Sequence, residues 1–294
     1  MGWCAGLTAL ALVLSTRDSW VVWAGGQLLL GVTLVQWFVI LHECGHETLF
    51  RTRRLDVVVG HVASVFTLIP FQCWKRVHGQ HHKWTGWQDR DPTTVALVPR
   101  PLGRGERFLT NVCWRFWIPL FSVLYRVGNF WNVRRLCRLF PPKAQRRALT
   151  LNVVLLGALY VGLAWGLGLA RVGSLAGLGF VLSLLFEDPL LLSQHTHIPL
   201  NLSRGTRVRP YPTVEQEIFT RSLRFPSWFS VGVLLNLDAH ELHHMYPFVP
   251  GYALRRIEYT PTNEVSWWQW VRRAKALPGE VFLFQNRTES GFDI

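Results

Sequence analysis

Eight of the chain's 11 histidines fall into three tight groups: His42 and His46; His78, His81 and His82; His240, His243 and His244. Residues i, i+3 and i+4 of a helix share one face, so H-x-x-x-H aims two imidazoles at one point and H-x-x-H-H aims three. Random placement at this histidine frequency yields about 0.015 copies of H-x-x-H-H, and the sequence holds two. Two further histidines, His195 and His197, stand in Ser193-Gln194-His195-Thr196-His197. Imidazole suits iron, zinc, copper and nickel, so ligand type alone does not select the metal. Number does: this many histidines exceed what one four-coordinate zinc can use, and two adjacent ions with open positions account for the surplus. His61 stands alone and reads as a polar group at an interface.

A competing chemistry lies in His42-Glu43-Cys44-Gly45-His46, which satisfies H-E-x-x-H, the pattern in which two histidines bind zinc and the glutamate activates water. At the end of an apolar span it would indicate an intramembrane protease. The sequence has no Asp-Gly pair to supply the third ligand of such enzymes, and the six later clustered histidines would have no role. Glu43 is therefore expected to orient a ligand or face solvent. A histidine-rich metal transporter is a third class, but it would carry its ligands within the spans, across the barrier.

The elements that must position these groups follow from composition. The chain has 294 residues, 49% apolar and 17% charged, with fifteen Trp, a balance that excludes disorder, collagen and a disulfide-rich scaffold. Its five cysteines form no C-x-x-C pair, which argues against a disulfide framework and a cysteine zinc knuckle. Apolar runs predict spans over about 20–41, 148–170 and 172–192, the last kinked at Glu187-Asp188-Pro189. A fourth, shorter segment over 2–16 has no basic residue before it, which argues against a cleaved signal peptide. The apolar pieces 57–71 and 112–125 are too short to span and read as interfacial or re-entrant.

Charge sets the topology. Of 31 Lys and Arg, 29 fall in residues 42–147 and 193–294, two regions separated by two spans, so both lie on one side. The positive-inside rule makes that side cytoplasmic, and a basic face near anionic headgroups displaces the nucleic-acid reading of the net charge of +13. The run 134–147 reads as a solvated basic connection. The expectation is a single all-α integral membrane domain over 1–294, with about four transmembrane helices and a cytosolic histidine-rich cap.

Laid out this way, the chain resembles the membrane fatty acid desaturase superfamily, most closely the plant-type oleate (delta-12) desaturase branch. The resemblance rests on His42-Glu43-Cys44-Gly45-His46, Leu55-Asp56, Trp74-Lys75, His78 to His82, Thr85-Gly86, Asp89-Arg90-Asp91, Gln194 to His197, and Asp238 two residues before His240 to His244. Met245-Tyr246-Pro247 and Pro250-Gly251-Tyr252 continue it, while Glu187-Asp188-Pro189 matches nothing in that pattern. Relatives with these boxes include hydroxylases, acetylenases, epoxygenases and carotenoid ketolases.

The resemblance implies a di-iron centre that uses O2 to desaturate a fatty acyl chain, with His42, His46, His78, His81, His82, His240, His243 and His244 as iron ligands. His197, favoured over His195, supplies one more. Ligating imidazoles need their second nitrogen oriented, so Asp89, Asp91, Asp238 and Glu241 are candidates for that task, and Asn236 for a contact through water. Trp74, Trp84 and Trp87 are candidates for lining an acyl channel or anchoring at the interface. Glu187 and Asp188, placed just under the surface, are functional candidates by their position. No ferredoxin or cytochrome b5 segment is recognisable, so electrons are expected from a separate donor docking on the basic face.

Overall fold

The structure, a computed structural model, describes residues 1–294. In chain order the helices are α1 (Gly2–Leu14), α2 (Trp20–His46), α3 (Arg53–Thr67), α4 (Phe71–Trp84), α5 (Arg104–Phe116), α6 (Leu120–Arg126), α7 (Val133–Leu139) and α8 (Lys143–Leu167). After these come α9 (Leu169–Val172), α10 (Leu178–His195), α11 (Ser227–Gly232), α12 (His240–Met245), α13 (Gly251–Leu254), α14 (Trp267–Lys275), α15 (Gly279–Phe284) and α16 (Arg287–Ser290). The only strands, β1 (Ser222–Arg224) and β2 (Glu264–Ser266), pair in parallel. The chain divides into two compact units, one of residues 1–76 and 122–187, the other of 77–121 and 188–294.

The first unit carries most of the apolar length. Three stretches are long and apolar enough to cross a bilayer: Trp20–His46, Lys143–Leu167 and Leu169–His195. On α8, Leu155, Val161 and Trp165 are exposed, a face that suits lipid and not water. The expected span over 2–16 falls short. Helix α1 has 13 residues, about 20 Å of rise against a hydrocarbon core of about 30 Å. It packs on α2 instead, where Trp37 Nε1 donates to Thr8 Oγ1 at 2.9 Å and Gln27 Nε2 to Ser15 Oγ at 2.7 Å. A fourth crossing exists only if α3 and α4, bent by 100° at their break, count as one, in line with the re-entrant reading of 57–71.

Two local expectations are corrected. The stretch 134–147 is not an open connection, since α7 and the first turn of α8 occupy most of it. The last span is helical straight through Pro189, and its departure from α geometry lies earlier, in a π turn over Gly173–Gly177. A π turn shifts the backbone ladder by one residue. Here Ser174 O accepts from Trp23 Nε1 and Leu175 O from Gln27 Nε2, both at 2.8 Å, fastening the turn to α2.

Glu187 is buried, and its partner is Arg126 of α6, also buried. Arg126 donates further to Thr67 O and Ser122 O, so one guanidinium joins the end of α3, α6 itself and the middle of α10. Tyr160 of α8 donates to Ser64 O at 3.0 Å and Trp131 to Leu68 O at 2.8 Å, closing the unit around the end of α3.

The second unit has short helices and long connections. The piece expected over 112–125 is broken, because α5 ends at Phe116 with Trp117 in the left-handed region and α6 starts at Leu120. Helix α5 buries Trp114 against Phe282 of α15, ring on ring at 4.3 Å, and exposes Phe108, Leu109 and Phe116 on its other side. The β1–β2 pair lies beside the segment that leads into α12, with Leu223 N donating to Asp238 O at 2.9 Å.

Candidate metal centre

Four histidines of the second unit converge. His81 comes from α4, His195 ends α10, and His240 and His244 lie one turn apart on α12, their ring nitrogens all within 4.8 Å of one another. Nitrogens bound about 2.1 Å from a shared ion lie roughly 3–4 Å apart, so the set has the dimensions of a metal site. The Nε2 atoms of His195 and His240 are 2.8 Å apart, and those of His240 and His244 3.2 Å.

The hydrogen positions decide what these nitrogens can do. His195 Nδ1 faces Phe219 O at 3.3 Å, and a carbonyl only accepts, so Nδ1 carries the hydrogen and Nε2 a lone pair. His81 Nδ1 lies 2.6 Å from Asp91 Oδ2, which leaves its Nε2 in the same state. His244 Nδ1 faces Gln216 Oε1 at 3.0 Å. Gln216 cannot be turned around, because its Nε2 donates to His82 O at 2.8 Å. Three lone pairs thus point into one buried space, where they cannot hydrogen-bond to one another; a cation satisfies them all. Burial, with the neighbouring imidazoles His82, His240, His195 and His81, holds His244 well below the usual histidine range, so it stays a neutral donor. An all-imidazole set of this kind suits iron, zinc, copper or nickel.

The other expected ligands are carried by α2, α4 and α12. In the second unit, His82 Nε2 lies 3.0 Å from both His78 Nε2 and His243 Nε2. In the first unit, His42 and His46 end α2, their ring centroids 4.9 Å apart. Glu43 is buried, not solvent-facing, 3.2 Å from His42 Nδ1, and it accepts from Thr48 Oγ1 at 3.2 Å. Gly45 is required here: a Cβ on it would lie 2.1 Å from the Trp74 ring, which packs edge-on to His42.

His197 does not join the cluster, and the preference for it over His195 is corrected. It sits past the end of α10 in the left-handed region, φ 58°, with Nε2 2.7 Å from Ser290 Oγ and 3.1 Å from Phe292 O. Residues two apart at a helix end cannot face the same point, and the helical one reaches the cluster.

Of the orienting candidates, only Asp91 touches a clustered histidine. Asp89 accepts from Ser203 N, Ser203 Oγ and Arg204 N, all at 2.8–2.9 Å, and braces a turn. Asp238 accepts from Ser230 Oγ at 2.6 Å and Arg255 Nη2 at 2.7 Å. Glu241 accepts from Thr262 N, Asn263 N and Tyr259 Oη, tying α12 to a later loop. Asn236 donates to Gly251 O at 3.0 Å. These three hold the frame around α12. Trp74 is buried under Gly45, Lys83 lies over the Trp84 ring, and Trp87 stacks on Tyr211. His61 of α3 packs edge-on to Phe71 of α4.

Sequence reasoning missed Gln216, Phe219 and Thr93, the last with Oγ1 3.0 Å from His81 Nδ1. Gln216 lies 28 residues before His244, in a 3-10 turn that no metal motif marks.

Apolar helices of spanning length and a buried donor set that fits metal ions define an integral membrane protein with a histidine-rich metal centre. The chain belongs to the fatty acid desaturase family, whose model matches residues 18–269. Among its relatives, a probable fatty acid desaturase of Sorghum bicolor is 26% identical over 85% of this chain and 66% of its own length. An sn-1 oleoyl-lipid 12-desaturase of Picosynechococcus sp. is 26% identical over 81% and 71%. An sn-2 acyl-lipid omega-3 desaturase (ferredoxin) and an acyl-lipid omega-3 desaturase (cytochrome b5), both of Arabidopsis thaliana, are each 24% identical over 84% of this chain, and over 56% and 66% of their own lengths. The chain thus spans about two thirds or less of most of these relatives.

Proposed function

We propose that the chain is a membrane oxidoreductase that uses O2 and electrons from a separate donor to desaturate a fatty acyl chain at a di-iron centre. The observation that carries this reading is the convergence of His81, His195, His240 and His244 in a family of fatty acid desaturases. Those four would hold one ion, and His42, His46, His78, His82 and His243 remain the further ligand candidates. When bound, the iron pair supplies the oxygen reduction and hydrogen abstraction for which side chains alone are insufficient.

The chain's own residues prepare the site. Asp91, Phe219 O and Gln216 hold the Nδ1 hydrogens of His81, His195 and His244, so that each Nε2 is ready as a donor without proton rearrangement. Burial of His81, His240 and His244, with His195 partly buried, limits access of bulk water to the site. Asp238 and Glu241 fix the loops before and after α12, which keeps His240, His243 and His244 on one turn. The histidine face is cytoplasmic, by the distribution of Lys and Arg. The relatives' printed names point to ferredoxin or cytochrome b5 as the class of donor.

The test is metal content of the full chain in detergent, followed by analysis of lipids after incubation with O2 and a reduced donor. Two irons per chain, lost in His244→Ala, with a new double bond in the acyl product, is the expected result. An oxygen atom retained in the product would identify a hydroxylase or ketolase. One zinc that survives His244→Ala but disappears with His46→Ala would overturn the reading in favour of the H-E-x-x-H protease.

A further inference from the structure

One exposed basic segment of the second unit is fastened to the histidine cluster. Arg204, Arg207 and Arg209 are exposed on the loop that follows His197, and Arg90, also exposed, lies against it. Arg90 donates through Nε to Ser203 Oγ at 2.9 Å and through Nη2 to Thr206 O at 2.7 Å. The chain's exposed ion pairs involve other arginines, such as Arg53, Arg100, Arg107 and Arg287. Asp89, the carboxylate next to Arg90 in the chain, is taken up by the backbone and hydroxyl of the loop. Burial opposes its ionisation, but the hydrogen bonds from Ser203 and Arg204 outweigh that and hold it below the usual carboxylate range. Four guanidinium groups therefore share a small surface without a carboxylate partner.

The surface is rigid and leads inward. Trp87 Nε1 donates to Arg209 O at 2.9 Å, while Gln88 N and Asn201 N exchange hydrogen bonds with Asn201 O and Gly86 O, each at 2.9 Å. The Trp87 ring stacks on Tyr211 with centroids 5.6 Å apart, and Tyr211 packs on Phe219 at 4.7 Å. Phe219 O is the group that holds His195 Nδ1, at 3.3 Å. Gly86, at φ 95°, lets the two inner rings close on the backbone, for a Cβ there would lie 2.7 Å from both Tyr211 and Phe219. The basic loop is thus joined to a cluster imidazole by three aromatic rings in succession.

We propose that Arg90, Arg204, Arg207 and Arg209 form the docking surface for an acidic electron-transfer protein, with the Trp87–Tyr211–Phe219 series as the path inward. This rests on the proposed oxidoreductase function. With iron bound by the histidines, each encounter would pass one electron from the donor's iron centre, which is oxidised, to that iron, which is reduced, with no atom exchanged. Opposite charge on the two partners raises the encounter rate and orients the donor, and the advantage falls with salt. Anionic lipid headgroups would also be drawn to four arginines, but they need neither a rigid backing nor an aromatic path.

The experiment measures equilibrium binding of an acidic plant-type [2Fe–2S] ferredoxin, and separately of a soluble acidic cytochrome b5 domain, to the full chain in nanodiscs of neutral phosphatidylcholine. Salt-dependent binding of at least one carrier is expected, weakened about tenfold or more by combined Arg204→Glu, Arg207→Glu and Arg209→Glu substitution, with metal content unchanged. Trp87→Leu should leave that affinity in place while slowing reduction of the metal centre, followed by its absorbance after mixing with reduced carrier. No binding of either carrier, equal affinity in the triple variant, or an effect seen only when the nanodiscs contain phosphatidylglycerol would overturn the proposal. Absence of iron from the wild-type chain would instead count against the oxidoreductase reading, so the two failures are distinguishable.

Discussion

Gln216 Oε1 lies 3.0 Å from His244 Nδ1, and the same amide donates to His82 O at 2.8 Å, so one fully buried side chain fixes the hydrogen of one histidine and the backbone of another. The amide has two ends of opposite character, and each has its complement. Replacing Gln216 with Leu leaves His244 Nδ1–H and His82 O without these partners in a buried space. Metal affinity is expected to fall about 10–100-fold, the usual effect of losing an orienting partner. Competition against a coloured chelator measures it, and unchanged affinity in Gln216→Leu would show that His244 is held some other way.

The choice between His195 and His197 is testable by metal count. His195→Ala should lose one of two ions, because His195 shares the buried space of His81, His240 and His244. His197→Ala should keep both and lose only the contacts to Ser290 and Phe292, at a cost of about 1 kcal/mol. Elemental analysis of both purified variants decides; metal loss in His197→Ala alone would reverse the assignment.

Arg126 and Glu187 form an ion pair with both partners buried. Removing one partner leaves the other charge buried alone, so Arg126→Met and Glu187→Leu should each destabilise the chain by about 3–5 kcal/mol. The double variant Arg126→Met/Glu187→Leu should lose less than either single change. Thermal unfolding of the four proteins in one detergent gives the cycle, and additive losses would mean that the two groups act separately.

Gly45→Ala places a methyl where the Trp74 ring already is, 2.1 Å from its nearest atom. Overpacking in a tight core costs about 1–3 kcal/mol, so Tm should fall, with a companion loss of metal because His42 and His46 flank the shift. If Tm and metal content both hold, the α2–Trp74 contact is looser than the structure shows.

Much of this protein is legible in its residues because the decisive signals are local. The H-x-x-x-H and H-x-x-H-H spacings place imidazoles on one helical face wherever the helix lies. Three apolar stretches are long enough to report spans by themselves, and the uneven placement of Lys and Arg orders the segments between them. Asp91 was reachable for the same reason, ten residues from the histidine it holds and just beyond the end of α4.

Tertiary structure decided what depends on residues distant in sequence. Local spacing could not separate His195 from His197; the end of α10 and the left-handed backbone at His197 sent one ring into the cluster and the other toward Ser290, 93 residues on. Asp89, Asp238 and Glu241 have the right chemistry for orienting a ligand, yet Asp89 and Glu241 brace loops and Asp238 joins Ser230 of α11 to Arg255, because hydrogen-bond direction is set by the folded backbone. Gln216, 28 residues from His244, and Arg126, 61 from Glu187, belong to no motif. A sequence can specify which groups are able to bind a metal through helical periodicity, but which lone pairs meet is a matter of packing, settled by chain segments that touch only after folding.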